Sequence, residues 1–211
     1  MRESFAASDV ASLLLDAAND LESRSEELRV LDAAIGDGDL GITVQLASKA
    51  MRAYLASANE PSIGRLLAQC GMTINKASPS TFGTLLASAF LAAGKAVPDK
   101  DRVDPADLVL MGEAAVEGVK KRGKADVGEK TMLDCLVPAV EAFKVAIECG
   151  SDLPHALQQA VTAAEAGLKS TVNMQSRHGR ASWHGEKTIG VQDAGATAMY
   201  YLIESLARHL H

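Results

Sequence analysis

Apolar residues recur three and four positions apart along most of the 211-residue chain, and no stretch shows the strict alternation of a half-buried strand. These residues are mainly alanine and leucine, which are good helix formers, whereas aromatic residues make up only 4% of the chain. Glycine, proline and charged residues divide the pattern into eight segments. The sequence therefore predicts an all-α fold, in which residues 1–211 form a single domain of eight antiparallel helices.

Residues that start, kink or stop a helix locate the predicted boundaries. Starting signals precede the first, third, fifth, seventh and eighth helices: Ser8 or Asp9, Pro61, Pro105, Pro154 and Asp193. The second helix is expected to begin near Gly41. Gly123 and Gly150 should end the fifth and sixth helices, and Pro138 should kink the sixth because it lacks a backbone N–H.

The composition limits the classes of partner. A net charge of −6 argues against nucleic acid as a general partner. The longest weakly polar run, Phe82–Ala93, is too short to span a bilayer, and residues 1–10 lack the apolar core of a secretory signal. Cys70, Cys135 and Cys149 are widely spaced, which is typical of reduced thiols. We therefore expect a cytoplasmic protein with no nucleic-acid or membrane partner.

Four connections are the richest in glycine, serine, threonine and charge. They are the acidic loop at 31–41 and the segments 76–80, 123–130 and 175–192, and they follow the first, third, fifth and seventh helices. If the helices alternate up and down, these connections share one end of the domain. Binding residues tend to lie on loops held by a rigid scaffold, so we expect the functional site at that end.

The acidic loop combines three glycines with Asp32, Asp37 and Asp39. Glycine lets such a loop turn tightly, and several carboxylates aimed at one point favour a hard divalent cation. The alternative is that one or two of the aspartates only cap the second helix. Other motifs fail: the G-x-G-x-x-G in the loop follows no strand, the spacing departs from a calcium loop, and the G-x-x-x-x-G-K at 118–124 lacks its Ser/Thr.

A phosphate group would suit the same end of the domain. The free amides at the start of the second helix would favour an anion beside the metal. Arg180, between Gly179 and Ala181 in the long polar connection, offers a guanidinium that matches phosphate oxygens, although it would also suit a solvated surface. Metal carboxylates, a helix start and an arginine together suggest phosphoryl transfer, with Arg180 as the catalytic residue.

Three segments together resemble the nucleotide-binding, DhaL-type subunit of dihydroxyacetone kinase, which also forms the C-terminal domain of single-chain kinases. They are residues 35–41 (Ile-Gly-Asp-Gly-Asp-Leu-Gly), 122–134 and 179–196, and the resemblance covers nearly the whole chain. It implies a closed barrel of eight antiparallel helices with ADP or ATP at one end. It also implies two Mg²⁺ ions held by the three aspartates, and a lid formed by the stretch around Arg180.

The resemblance also implies a set of nucleotide contacts: Leu40, Gly41, Thr43, Ser78, Gly123, Met132, Arg180, Asp193 and Gly195. Among them, Met132 would lie against the adenine. The sequence departs from the family pattern at Leu40, where a histidine is usual, and at Thr43, where an asparagine is usual. The phosphate loop at 75–79 reads Asn-Lys-Ala-Ser-Pro, which has lost the family's glycines and ends in a residue that cannot donate an amide. We expect a working site with altered nucleotide contacts.

The family holds its ketone on a separate, DhaK-type subunit or domain, and nothing in this chain matches it. The resemblance therefore implies a phosphotransferase that is active only with a ketose-binding partner. Phosphate would come from ATP or, through a phosphohistidine carrier subunit, would pass onto bound ADP. A homodimer and the identity of the short keto-sugar stay open. Two alternatives are a degenerate regulatory or scaffold subunit of the same complex and a nucleotide domain of the fatty-acid kinase type.

Overall fold

The computed structural model describes residues 4–210. The helices in this range are α1 (Ala7–Ser23), α2 (Ser25–Ile35), α3 (Leu40–Leu55), α4 (Ile63–Ala77), α5 (Thr81–Ala96), α6 (Pro105–Gly123), α7 (Leu133–Glu148), α8 (Leu153–Ser170) and α9 (Ala194–His209). Two 3₁₀ segments, Thr171–Asn173 and Arg180–Thr188, lie between α8 and α9. Two-residue strands, β1 (Phe5–Ala6) and β2 (Arg102–Val103), form an antiparallel pair that the pattern did not predict.

Eight of these helices form a closed ring. α1 packs against α3, the ring continues through α4, α5, α6, α7 and α8, and α9 packs back onto α1. The inward faces share one apolar core, in which Ile63 and Leu133 are almost completely buried. The predicted all-α barrel of antiparallel helices is therefore confirmed, with α2 as an additional helix against the outside of α3 and α9.

α2 is a separate helix that the sequence pattern did not reveal. The first helix was expected to lead directly into the acidic loop, but the chain breaks at Arg24 and resumes as α2, which ends at Ile35. A second, smaller apolar cluster holds α2 against α3 and α9, and Leu28 is completely buried in it. Asp32 consequently lies in the last turn of a helix, and its assignment to the loop was wrong.

Most of the predicted helix boundaries are confirmed. Pro105 and Pro154 lie in the first turns of α6 and α8, and the side chain of Asp193 caps α9. At α4 the capping residue is Ser62, so Pro61 precedes the helix and does not open it. Proline fits just before or inside a first turn because the amides there have no helical acceptor.

Pro138 lies inside α7, as predicted, and a glycine of α8 packs beside it. Because Pro138 has no N–H, the carbonyl of Asp134 four residues earlier loses its helical partner. Gly167 lies directly against that carbonyl: a Cβ at this position would collide with it and would come within 3.3 Å of Pro138 Cγ. The absence of a side chain at Gly167 therefore permits the close approach of α7 and α8.

The interior of the ring contains an apolar cavity of about 270 Å³, lined by side chains such as Phe90, Leu136 and Met199. No side chain predicted for the functional site is among its lining residues in the described part of the chain. Within residues 4–210, no helix is both long enough and apolar enough to cross a membrane.

Candidate functional site

The last turn of α2 and the connection from α2 to α3 bring the three aspartates together. One oxygen from each of Asp32, Asp37 and Asp39 lies within 4.8 Å of the other two. The amide of Gly36 donates to the carbonyl of Asp32 (2.6 Å), which closes α2. Gly38 has a φ of 71°, a left-handed conformation that few other residues adopt. The end of α2 and the turn at Gly38 together bring the three carboxylates close to one another.

The three carboxylates have different partners. Asp32 accepts a hydrogen bond from the amide of Leu40 (3.1 Å) at the start of α3, so the capping alternative applies to this residue alone. Asp37 forms an ion pair with Arg180. Asp39 precedes α3 without a side-chain cap bond, and among residues 4–210 its carboxylate has no hydrogen-bond donor. Burial and the negative charge of Asp32 raise the pKa of Asp39. This is an excess of negative charge that a cation would neutralise.

Residues 175–187, which we call the lid segment, lie against the acidic cluster. The 3₁₀ helix that begins at Arg180 packs against α2, and the Arg180 side chain, although 61% exposed, reaches Asp37. Gly179, with a φ of 64°, turns the chain immediately before it. The structure thus brings together the two charged groups that the sequence suggested for one site.

The connection between α6 and α7 holds the lid segment from the other side. The His178 ring is 2.7 Å from a Glu129 carboxylate oxygen, and the Arg177 amide donates to the Glu129 carbonyl (3.3 Å). The next residue, Lys130, is buried and bonds through its ammonium to backbone carbonyls at both ends of the lid segment. Three of the four connections predicted to share one end are therefore linked directly.

Ser78, in the connection between α4 and α5, is buried and occupied by local bonds. Both its hydroxyl (3.0 Å) and its amide (2.9 Å) donate to the carbonyl of Ile74. Ser80 caps α5 by accepting from the amide of Gly83 (3.1 Å), and Pro79 between them has no amide to donate. In this conformation Ser78 has no free donor for a phosphate.

Several other predicted nucleotide contacts are also packing residues. Leu40, Thr43 and Met132 are each at most 5% exposed. Gly41 lies so close to α2 that a Cβ would collide with the carbonyl of Ser25. Leu40, Gly41 and Thr43 fix how α3 begins beside the aspartates, whether or not they touch a ligand, whereas Met132 lies at the start of α7.

The start of α9 adds a further carboxylate, which is partly buried, to this end. Asp193 accepts from the amide of Ala196 (2.7 Å). Burial raises the pKa of Asp193 to about 6; the charges of Asp134 and Asp32 act in the same direction, whereas the Ala196 amide and the Lys130 ammonium oppose them. The Cα of Gly195 faces the same carboxylate, since a Cβ would lie 3.2 Å from Asp193 Oδ2. Gly123, at the end of α6, packs instead against Leu85.

A family model described as the DAK2 domain matches residues 34–208. The chain belongs to the DAK2 domain family. It is 36% identical over 185 residues to the ADP-binding subunit DhaL of the PEP-dependent dihydroxyacetone kinase of Escherichia coli, covering 88% of each chain. It is also 30% identical to an L-erythrulose kinase of Pectobacterium atrosepticum, covering 98% of this chain but 35% of that one.

Among solved structures, this DAK2 domain matches the dihydroxyacetone kinase of C. freundii in complex with AMP-PNP and Mg²⁺. The TM-score is 0.72 at 27% identity, and the match covers 94% of this chain and 33% of that one. The likeness therefore extends over the whole helical ring, whereas the kinase contains about twice as much chain outside the matched part.

The site end of this DAK2 domain has the residue chemistry that a magnesium-bound phosphate group requires. Three carboxylates converge, and oxygen is the ligand that Mg²⁺ prefers. The first turn of α3 begins directly after Asp39: the Leu40 amide donates to Asp32, and the Gly41 and Ile42 amides have no acceptor within the helix. Arg180 adds a guanidinium that pairs with one of these carboxylates, that of Asp37.

Lys130 and Glu129 were not singled out from the sequence. A lysine between a glutamate and a threonine in a glycine-containing connection has the pattern of an exposed loop, yet Lys130 is only 2% exposed. The one available signal was its position inside residues 122–134, a segment that carried the family resemblance. Its partners are backbone carbonyls, which no side-chain pattern records.

Proposed function

We propose that this chain is the nucleotide-binding, phosphoryl-transferring subunit of a cytoplasmic kinase for dihydroxyacetone or a related short keto-sugar. Its membership of the DAK2 family, and relatives named as dihydroxyacetone kinase and L-erythrulose kinase, support this reaction class. The E. coli relative is named for ADP binding, and the matched kinase structure contains AMP-PNP and Mg²⁺. The proposed cofactors are therefore ADP or ATP with two Mg²⁺ ions.

The convergence of Asp32, Asp37 and Asp39 opposite Arg180 carries the proposal. The three carboxylates would hold the metal, which supplies charge neutralisation for the phosphates. A metal on Asp37 would compete with the guanidinium for the same carboxylate, so Arg180 would be released to face phosphate oxygens. There it would act as the catalytic residue, since a positioned guanidinium stabilises the charge that is spread over the transferred phosphoryl group.

The nucleotide itself would contact residues around this end of the barrel. The proposed set is Leu40, Gly41, Thr43, Ser78, Gly123, Met132, Arg180, Asp193 and Gly195. For Ser78 the proposal requires a local change, because its hydroxyl and amide both donate to Ile74. Adenine would lie near Met132, where the side chain packs on the apolar core.

A ketose-binding, DhaK-type subunit would be the obligatory partner, and a phosphohistidine carrier would be needed if ADP stays bound. Aligning both reactants can contribute roughly 7–11 kcal/mol to lowering a barrier, and a nucleotide domain aligns only one of them. The test is a coupled assay with dihydroxyacetone, glyceraldehyde and four-carbon keto-sugars, in which each component is omitted in turn. We expect no turnover by the chain alone with ATP and Mg²⁺, and turnover when the partner is added. Turnover without a partner would contradict the half-enzyme proposal.

A regulatory subunit without nucleotide is the second candidate, and the connection between α4 and α5 favours it. Ser78 is committed to Ile74 and Pro79 has no amide, so this connection offers few donors to a phosphate. Titration calorimetry with ADP separates the candidates. The kinase subunit should bind ADP in Mg²⁺ and lose most affinity in a chelator, whereas the regulatory subunit should give no metal-dependent heat. Mass spectrometry of the purified protein would detect nucleotide that is already bound.

A further inference from the structure

Lys130 places its ammonium in a cage of backbone carbonyls. The Nζ atom lies within hydrogen-bond distance of the carbonyl oxygens of Thr171 (2.8 Å), Met174 (3.1 Å), Thr188 (2.7 Å) and Val191 (2.5 Å), which share its three N–H groups. Lys130 is only 2% exposed. The residue adopts a left-handed backbone conformation, with a φ of 60°. A charge buried at this depth is costly unless polar groups surround it, and here four carbonyls do so.

The four carbonyls belong to the two ends of the lid segment. Thr171 and Met174 precede residues 175–187, and Thr188 and Val191 follow them. One ammonium therefore joins the chain where the lid segment leaves the barrel to the chain where it returns. The Gly190 amide strengthens the same junction by donating to the carbonyl of Val172 (2.7 Å).

The ring of helices has its own means of support. Its contacts run through the apolar core, and α8 and α9, which flank the junction, pack against each other directly. The lid segment has fewer: within the described residues, Arg180 pairs with Asp37, Arg177 and His178 bond to Glu129, and the 3₁₀ helix packs against α2. At its base the Ser176 amide donates to the Thr188 hydroxyl (3.0 Å), which itself donates to the Gly185 carbonyl (2.7 Å). Losing the ammonium should loosen the lid segment well before it opens the ring.

We propose that Lys130 is a positioning residue, whose ammonium fastens both ends of the lid segment and thereby sets Arg180 opposite Asp37. It acts where a bound potassium ion could act, because its carbonyl partners lie at 2.5–3.1 Å and all present backbone oxygen. Lys130 touches no reacting group in this arrangement. Its effect passes through Arg180.

The first test uses Trp183, which is the only tryptophan of the chain, lies in the lid segment and is 84% exposed. Its time-resolved fluorescence anisotropy reports lid motion without any ligand or partner. The Lys130→Met variant keeps an unbranched side chain of similar length but removes the charge. In this variant we expect the slow component of the anisotropy decay, which reports tumbling of the whole protein, to lose amplitude, while the circular dichroism spectrum stays helical. Lys124→Met, an exposed lysine of the same connection, should match the wild type.

A rescue experiment separates loss of the ammonium from loss of packing. Lys130→Ala should regain the slow component in methylammonium or potassium chloride, and less of it in equimolar sodium chloride, because a smaller ion fits these distances poorly. Lys130→Gln, which keeps two N–H donors, replaces the alanine or methionine variant if either does not fold. An unchanged anisotropy would overturn the proposal. So would a loss of helix content in step with the anisotropy in all three variants, since Lys130 would then support the barrel as a whole.

The last test measures coupling to Arg180 and rests on the proposed function. In the reconstituted kinase assay, Lys130→Met should lower kcat by about tenfold or more while the affinity for ADP changes little. The reason is that a displaced Arg180 would stabilise the transition state less, and such arginines make a large contribution to the rate. In an Arg180→Ala background the same substitution should change kcat by no more than about twofold. Equal effects in both backgrounds would overturn the proposal. If no kinase activity is found at all, the proposed function fails, and the anisotropy and rescue results still decide the role of Lys130.

Discussion

Replacing Asp39 by asparagine should have opposite effects on stability in the absence and presence of the metal. Asp39 is the carboxylate of the cluster without a hydrogen-bond donor in the described range, and the charge of Asp32 contributes to raising its pKa. An acid whose pKa is raised on folding destabilises the fold at pH above its unfolded pKa, because the ionised form is disfavoured in the native state. At neutral pH, Asp39→Asn removes this penalty and should stabilise the protein without metal.

The size of the effect follows from the geometry. Two unit charges at the 4.8 Å limit of the cluster repel by about 0.9 kcal/mol in water and by about 3.5 kcal/mol at an effective dielectric constant of 20. The carboxylate of Asp39 is exposed, so the lower figure applies more closely, and its favourable position at the start of α3 offsets part of the repulsion. We expect a net gain of about 0.5 kcal/mol, which for a domain of this size is about 1–2 °C in melting temperature.

Mg²⁺ with ADP should reverse the order of the melting temperatures, so that the wild type melts above Asp39→Asn. At about a hundredfold excess over Kd, a ligand that binds only the folded state stabilises it by about 2.7 kcal/mol, so the wild type should gain roughly 5–11 °C. Asp39→Asn should lose most of that gain because one of three metal ligands is missing. The assay is differential scanning fluorimetry in a chelator and in Mg²⁺ with ADP. Asp99→Asn, an exposed aspartate beyond the far end of α5, is the matched control and should follow the wild type in both buffers.

Two results would refute this reasoning. If Asp39→Asn melts below the wild type in the chelator, Asp39 stabilises the start of α3, and the repulsion argument is wrong. If the variant keeps the full shift with Mg²⁺ and ADP, the acidic cluster is not the metal site.

Three further predictions concern the lid, the helix packing and the dependence of stability on pH. Arg180→Ala should slow phosphoryl transfer by roughly 10³–10⁵ while changing the calorimetric Kd for ADP only a few-fold; a rate close to the wild type would make Arg180 an ordinary surface residue. Gly167→Ala should cost about 1–3 kcal/mol in urea unfolding, because the new Cβ collides with the carbonyl of Asp134, and an unchanged midpoint would show that α7 and α8 can separate freely. Hydrogen bonds from Ser205 and the neighbouring cations lower the pKa of Asp20, so its contribution is present above the unfolded pKa and lost as the pH falls. Asp20→Asn should therefore be less stable than the wild type by up to about 1 kcal/mol at pH 7, and the difference should shrink as the pH falls below the unfolded pKa; a difference that does not depend on pH would exclude the charge as the cause.

The fold was predictable because helix periodicity and local breakers act over a few residues. Pro105, Pro154 and Asp193 marked their helices directly from the sequence. The separate helix α2 was not predictable in the same way, since the break at Arg24 contains neither glycine nor proline and the helix is held by burial of Leu28 against α3 and α9. That burial depends on tertiary contacts, which override local preferences.

The site was predictable in so far as its side chains carry the chemistry. Asp32, Asp37 and Asp39 were recognised as a cluster because they lie in one glycine-rich stretch. Arg180 was recognised as a phosphate-binding candidate from its position between Gly179 and Ala181 in the long polar connection. The role of Lys130 could not be predicted, because its partners are main-chain carbonyls more than forty positions away, with sequence separations from 41 to 61. The helical position of Asp32 was missed together with α2.

Because Lys130 joins the two ends of the lid segment, the loop is closed at its base whatever conformation residues 175–187 adopt. The entropic cost of closing a loop rises only with the logarithm of its length, by about 0.6 kcal/mol for each doubling. Because the ammonium of Lys130 already holds Met174 close to Thr188, insertions or substitutions inside residues 175–187 would destabilise the barrel very little. The segment that carries Arg180 can therefore change in length and sequence at little cost to the fold, so one helical scaffold can place differently shaped covers over the acidic cluster.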